Sequence, residues 1–205
     1  MKRLFFVIFL ITGLKNINAQ SEKNYVIEID GDSVSASLGE PTKFNFKDGK
    51  SIFITIKKKE ILTFRKGPVF FSYPSKYSVT STAIDEGVEQ ILLMSAGGAG
   101  IMIQIYSSLN PTGIVDFMLS QLTEDDINAG YKENKTDIEK QINNAVLLKG
   151  KKSVLKLDEE TEIFSVLSYG KGKKGIMIVE MNSGELEKDE KQLYDLFWSS
   201  LTVKY

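Results

Sequence analysis

From Tyr25 to Phe64 apolar side chains recur at period two, which restricts this part of the chain to short strands with one buried and one wet face. Tyr25, Ile27 and Ile29 alternate with Val26 and Glu28. Val34, Ala36 and Leu38 alternate with serines, and Phe44 and Phe46 flank Asn45. Ile52, Ile54 and Ile56 alternate with Phe53 and Thr55, and Ile61, Leu62 and Phe64 make a further short run. Turn residues separate the segments at Asp30-Gly31-Asp32, Gly39-Glu40-Pro41 and Asp48-Gly49, the last a strong hairpin signal. Residues 20–67 therefore read as an N-terminal β-ribbon. Lys57-Lys58-Lys59 reads as a solvated strand end, since lysines blunt an exposed sheet edge.

Residues 68–205 read as one α+β domain. The aromatic run Phe70-Phe71-Ser72-Tyr73 stops at Pro74, which cannot donate a ladder hydrogen bond, and a second strand begins at Tyr77. Strands over Val88–Ser95 and Ile101–Tyr106 flank Gly97-Gly98-Ala99-Gly100, read as a hairpin tip because no helix follows it. Ile114, Phe117, Met118 and Leu122 recur at helical spacing, with Thr112 as N-cap. Thr123-Glu124-Asp125-Asp126 reads as a second helix start, acidic where the macrodipole favours it. Gly130–Thr136 reads as loop, and Asp137–Asn144 is ambiguous. Val146–Leu148, Ser153–Leu157, Glu162–Tyr169 and Ile176–Met181 read as strands. Gly150-Lys151-Lys152 and Asp158-Glu159-Glu160 read as turns between them, and Gly170–Gly175 as a mobile tip. A final helix, Glu187–Ser200, carries Leu193, Leu196, Phe197 and Leu201 on one stripe, with Tyr194 and the core anchor Trp198 widening it.

Composition excludes more functions than it suggests. The 205 residues contain neither cysteine nor histidine, so thiolate nucleophiles, disulfides, imidazole bases and Cys- or His-ligated metals are out of reach. No catalytic residue, cofactor site or metal site is assigned, and no tight transition-metal site is expected. A net charge of -1 argues against nucleic acid as a partner. Ser153-Val154-Leu155-Lys156 matches a Ser-x-x-Lys pattern, but that chemistry needs a helix. On a strand, positions three apart face opposite sides. Trp198 and the acidic triplet Glu124–Asp126 have structural readings of the same kind.

The segment Phe71-Ser72-Tyr73-Pro74-Ser75-Lys76-Tyr77-Ser78-Val79 resembles the opening pattern of the PsbP/Mog family, with Tyr77 where tryptophan often stands. The resemblance continues through the strand pair around the glycine run, the helix over Thr112–Leu122, the glycine at Gly150 and the last helix into Ser199-Ser200-Leu201. It covers roughly Phe70 to Tyr205. It implies an α/β/α sandwich, an antiparallel sheet flanked by helices, and a non-enzymatic accessory role. Metal retention through histidine, found in photosynthetic members, does not carry over to a chain without histidine. The function expected is an exported binding or accessory module with an envelope-associated protein partner. A carboxylate-based hydrolase, such as a carbohydrate-active enzyme, is the alternative; a structural surface or matrix component is a third reading.

Residues 1–19 have the parts of a secretory signal peptide: Lys2 and Arg3, an apolar run over Leu4–Leu14, and Asn16-Ile17-Asn18-Ala19 ending in a small residue. No later apolar run is long enough to span a membrane, so a periplasmic or secreted protein is expected. Cleavage should follow Ala19. N-terminal sequencing of the exported protein should begin at Gln20, and a mature chain that retains Lys2 would contradict the signal.

Overall fold

The computed structural model describes residues 25–95 and 98–205. The expected signal peptide, residues 1–19, and Gly97 of the glycine run lie outside the described residues. The chain divides into two compact units, Met1–Lys58 and Lys59–Tyr205.

In the first unit, β1 (Tyr25–Ile29) pairs antiparallel with β2 (Asp32–Ala36), and β3 (Pro41–Asn45) with β4 (Ser51–Thr55). Asp30 and Gly31 join the first pair with φ of 51° and 82°. Two residues with positive φ give the hairpin turn whose twist matches its strands. A parallel bridge between Leu38 and Ile56, with Gly39 N–H donating to the Ile56 carbonyl at 2.8 Å, ties the second hairpin to the end of the first. Ala36 and Phe44 are buried, and Phe46 meets the Phe44 ring edge-on at 5.1 Å.

The second unit runs β5 (Ile61–Lys66), β6 (Val69–Pro74), β7 (Val79–Asp85), β8 (Val88–Met94) and β9 (Gly100–Tyr106). A single 3-10 turn over Pro111–Ile114 leads into α1 (Val115–Asn128). Then come β10 (Lys132–Gln141), β11 (Leu147–Leu157), β12 (Glu160–Lys171), β13 (Lys174–Ser183), α2 (Lys188–Ser200) and β14 (Thr202–Val203). Seven strands form one antiparallel sheet in the order β10-β11-β12-β13-β9-β8-β7, and a smaller sheet has the order β14-β6-β5. One face of the large sheet, including Ile91, Ile103, Leu167 and Ile178, packs with Leu193, Tyr194 and Phe197 of α2 and with Val69 and Phe71 of β6. The other face, including Tyr106, Val166, Met177 and Val179, packs with Val115 and Leu119 of α1. A capping box, in which Glu187 and Glu190 each accept from the other's backbone, starts α2.

These elements overturn the α/β/α sandwich, and with it the fold that the PsbP/Mog resemblance implies. The described residues hold fourteen strands and two short helices in a predominantly antiparallel β structure. A helix is about 10 Å wide, whereas seven strands at about 4.8 Å spacing are far wider, so one helix on a face makes no layer. One face shares its cover between α2 and the three-stranded sheet, and α1 on the other contacts β11 and β12.

The excess of strand comes from segments whose sequence hides it. The expected loop at Gly130–Thr136 enters β10, an edge strand whose one large apolar residue is Ile138. The expected turn at Gly150-Lys151-Lys152 lies inside β11, continuous for eleven residues. Glycine is there for close approach: a Cβ on Gly150 would overlap the Val166 carbonyl of the neighbouring strand. Gly170 and Gly175 are likewise paired within β12 and β13, where Asn110 and Pro111 sit on them, and Gly172-Lys173 alone forms the turn. Thr123–Asp126 continues α1 rather than starting a helix, and the cap falls to Asn110, whose Oδ1 accepts from Thr112 N–H at 3.1 Å. Gly150→Ala should cost about 1–3 kcal/mol or more, as overpacking against backbone does. A denaturant midpoint equal to wild type would show that β11 and β12 yield there.

Candidate functional site

Among the described residues, the candidates singled out in the sequence, Ser153 with Lys156, Trp198 and Glu124–Asp126, are not brought together. Ser153 is fully buried on β11, where its hydroxyl donates to Glu133 Oε1 at 2.7 Å. Glu133 Oε2 meets Lys135 Nζ at 3.0 Å. Lys156 is exposed, three residues along the same strand, and pairs in register with Lys132 and Thr161. Ser153 has no base beside it other than a carboxylate already neutralised, and no solvent in front of it. Burial disfavours the Glu133 charge, but the Ser153 hydroxyl and the Lys135 ammonium outweigh it and hold the carboxyl below its ordinary value.

Two further perturbed groups, Tyr194 and Tyr131, are also satisfied structurally. Burial raises the Tyr194 phenol, whose hydroxyl lies 2.9 Å from the Gly100 carbonyl and 2.8 Å from that of Met181. Tyr131 donates to Glu160 at 2.6 Å, and that hydrogen bond to the neutral phenol pushes its pKa up to about 12. Trp198 is half-buried: its indole N–H donates to Glu180, and the Lys140 ammonium stands 3.9 Å from its ring centre. Such a site is an anchor with its polar atom and its π-face both occupied.

A groove of about 390 Å³ beside the start of α1 has Asp116, Lys149, Lys151 and Tyr169 in its wall. Lys151 is held by Asp116 at 2.6 Å and Lys149 by Glu139, outside the groove, at 2.8 Å, so each lysine has a carboxylate partner. Among the described residues no group of three or more acidic side chains is placed to hold a metal ion. Glu124, Asp125 and Asp126 follow one another along the second half of α1.

Exposed apolar residues occur on both units: on α1 Phe117 is 65% exposed and so lies off the buried stripe expected of that helix, and the largest exposures are on the first unit. Phe53 of β4 is 73% exposed and Val26 of β1 is 68% exposed, and Tyr25, Leu38 and Ile52 are exposed as well. Phe53 lies opposite Lys43, and Val26 opposite Ser35. In a strand, Phe53 must face away from Ile52 and Ile54, on the side of Ser51 and Thr55. The sequence carries the signal, since Ile52-Phe53-Ile54 is apolar at both parities and a strand can bury only one of them. Each of these four strands has a single ladder partner, apart from the one bridge at Ile56.

No protein-family model matches the chain, and no curated protein matches it. The resemblance to the PsbP/Mog family is thus without support from any family model, and the β-rich architecture speaks against it.

Glu133→Gln keeps the acceptor for Ser153 and removes the charge. A carboxyl depressed in the folded state contributes stability above its ordinary value of 4.5, lost as pH falls through the lower folded value. The variant's thermal midpoint should therefore lie below wild type at neutral pH, with the gap closing in acid. A gap independent of pH would contradict the ion pair.

Proposed function

We propose that this chain is an exported, non-catalytic accessory or binding module that holds an envelope-associated protein partner through its first unit. The observation that carries this reading is the exposure of Phe53 and Val26 on a pair of two-stranded hairpins. Large aromatic and branched apolar side chains left in water on a small unit favour a partner that covers them. Strands with one ladder partner offer free N–H and C=O groups to an extended segment, so the backbone supplies affinity and pockets around the apolar side chains supply selectivity. The self-neutralised charges around Ser153, Lys149 and Lys151 support a binding role over turnover.

The test uses the full mature chain with a photo-reactive phenylalanine analogue at position 53. Irradiation in the cell envelope should give one discrete protein adduct. Val26→Ser should weaken it, while Leu157→Ser, an exchange in the second unit, should leave it in place. Adducts that are diffuse and insensitive to Val26→Ser would contradict the interface. Hydrolysis of a glycan, peptide or ester by the mature protein, abolished on changing one carboxylate, would replace binding with the hydrolase reading.

A further inference from the structure

With no cysteine in the chain, two-electron oxidants meet its thioethers first. The described residues hold Met94, Met102, Met118, Met177 and Met181. Met177 is fully buried, and Met102, Met118 and Met181 are half-buried in the cluster around Leu119. Met94 alone of these is exposed, at 38%, and it belongs to neither core cluster. It ends β8 directly opposite Gly100 of β9. A Cβ on Gly100 would overlap the Met94 sulfur, so the thioether lies across bare glycine backbone while the residue stays open to water. Just beyond, Ser95 N–H donates to the Ala99 carbonyl at 2.8 Å, and the Ser95 hydroxyl to Glu190 of the α2 capping box at 2.7 Å. The Gly100 carbonyl accepts from the Tyr194 hydroxyl of α2 at 2.9 Å. The thioether therefore sits where this hairpin is tied to α2.

We propose that Met94 is an oxidation site for peroxides, and that its conversion to the sulfoxide loosens the closing pairs of β8 and β9. A sulfur lone pair attacks one oxygen of hydrogen peroxide, and the S–O bond forms as the O–O bond breaks. The leaving hydroxide takes the proton from the transferred oxygen and departs as water. Sulfur is oxidised by two electrons and the peroxide is reduced. The product is polar and carries an added oxygen on the atom that packs against Gly100. That oxygen is hydrated only when the side chain turns outward, and Gly100 then loses its cover. Methionine sulfoxide is reduced enzymatically, so the loosening is reversible. The site lies within the second unit and is independent of the surface assigned to the partner.

The test treats the full mature chain with dilute hydrogen peroxide and follows the gain of one oxygen by peptide mass mapping. Met94 should be converted about tenfold or more faster than Met177, and ahead of Met102, Met118 and Met181. Exchange of the Ser95 amide hydrogen should then quicken about tenfold in the oxidised chain, while that of β12 stays as in the untreated protein. Met94→Leu keeps an apolar side chain of similar volume on Gly100, and peroxide should leave its Ser95 exchange unchanged. Conversion of Met102, Met118 or Met181 at the rate of Met94 would overturn the site. An unchanged Ser95 exchange in the oxidised wild type, or an equal quickening in the treated Met94→Leu variant, would overturn the loosening.

Discussion

The second unit depends on one junction, where β6 is held between β5 and the C-terminal end of the chain. Phe71 is fully buried, with ring centres of Phe64 at 5.3 Å, Phe197 at 5.1 Å and Tyr73 at 6.1 Å. Ser200 at the end of α2 accepts from Ser72 N–H at 2.7 Å and donates to the Leu196 carbonyl at 2.6 Å, so one hydroxyl links the helix terminus to the strand. Immediately after, Thr202 and Val203 pair with Phe70 and Val69, and Lys204 N–H donates to the Pro68 carbonyl at 2.9 Å. Burial of an aromatic of this size contributes about 3–5 kcal/mol on removal, a large share of the stability of a single unit. Contacts this distant in sequence form late, after the entropy of closing the intervening chain has been overcome.

That junction was legible because its residues carry strong local signals. Pro74 marks the end of β6, the apolar stripe of α2 names the face that meets it, and Asp48-Gly49 and Asp158-Glu159 fall at hairpin tips as turn residues should. Illegible were the elements whose signal is reversed by their place in the sheet. β10 is an edge strand and so carries charge where a central strand carries valine. Gly150 and the Gly170–Gly175 pair look like turns, but here glycine admits a neighbouring backbone or the Asn110-Pro111 segment. With β10 read as loop and β11 as broken at Gly150, the expected helices outweighed the sheet, and a short aromatic motif then resembled an α/β/α family. The exposure of Phe53 was hidden in the opposite sense, because an apolar residue on a strand is first taken for core.

The chemistry of this chain is shaped by what its polar side chains already hold. Ser153, Glu133 and Lys135 close on one another, as do Lys151 with Asp116 and Tyr131 with Glu160. Buried polar groups with their partners in place rigidify the fold around them. Exposed apolar side chains remain on the hairpins of the first unit, Phe53 and Val26 foremost.

The most direct test of the junction is native-state hydrogen exchange resolved by residue. The amides of β6 and of Leu201–Lys204 should exchange together, at the rate of global unfolding and in step with the central strands β12 and β13. Exchange of Ser72 and Lys204 through a faster opening, while β12 and β13 stay protected, would show that the C-terminal closure is an attachment to an already stable sheet rather than the contact on which that unit depends.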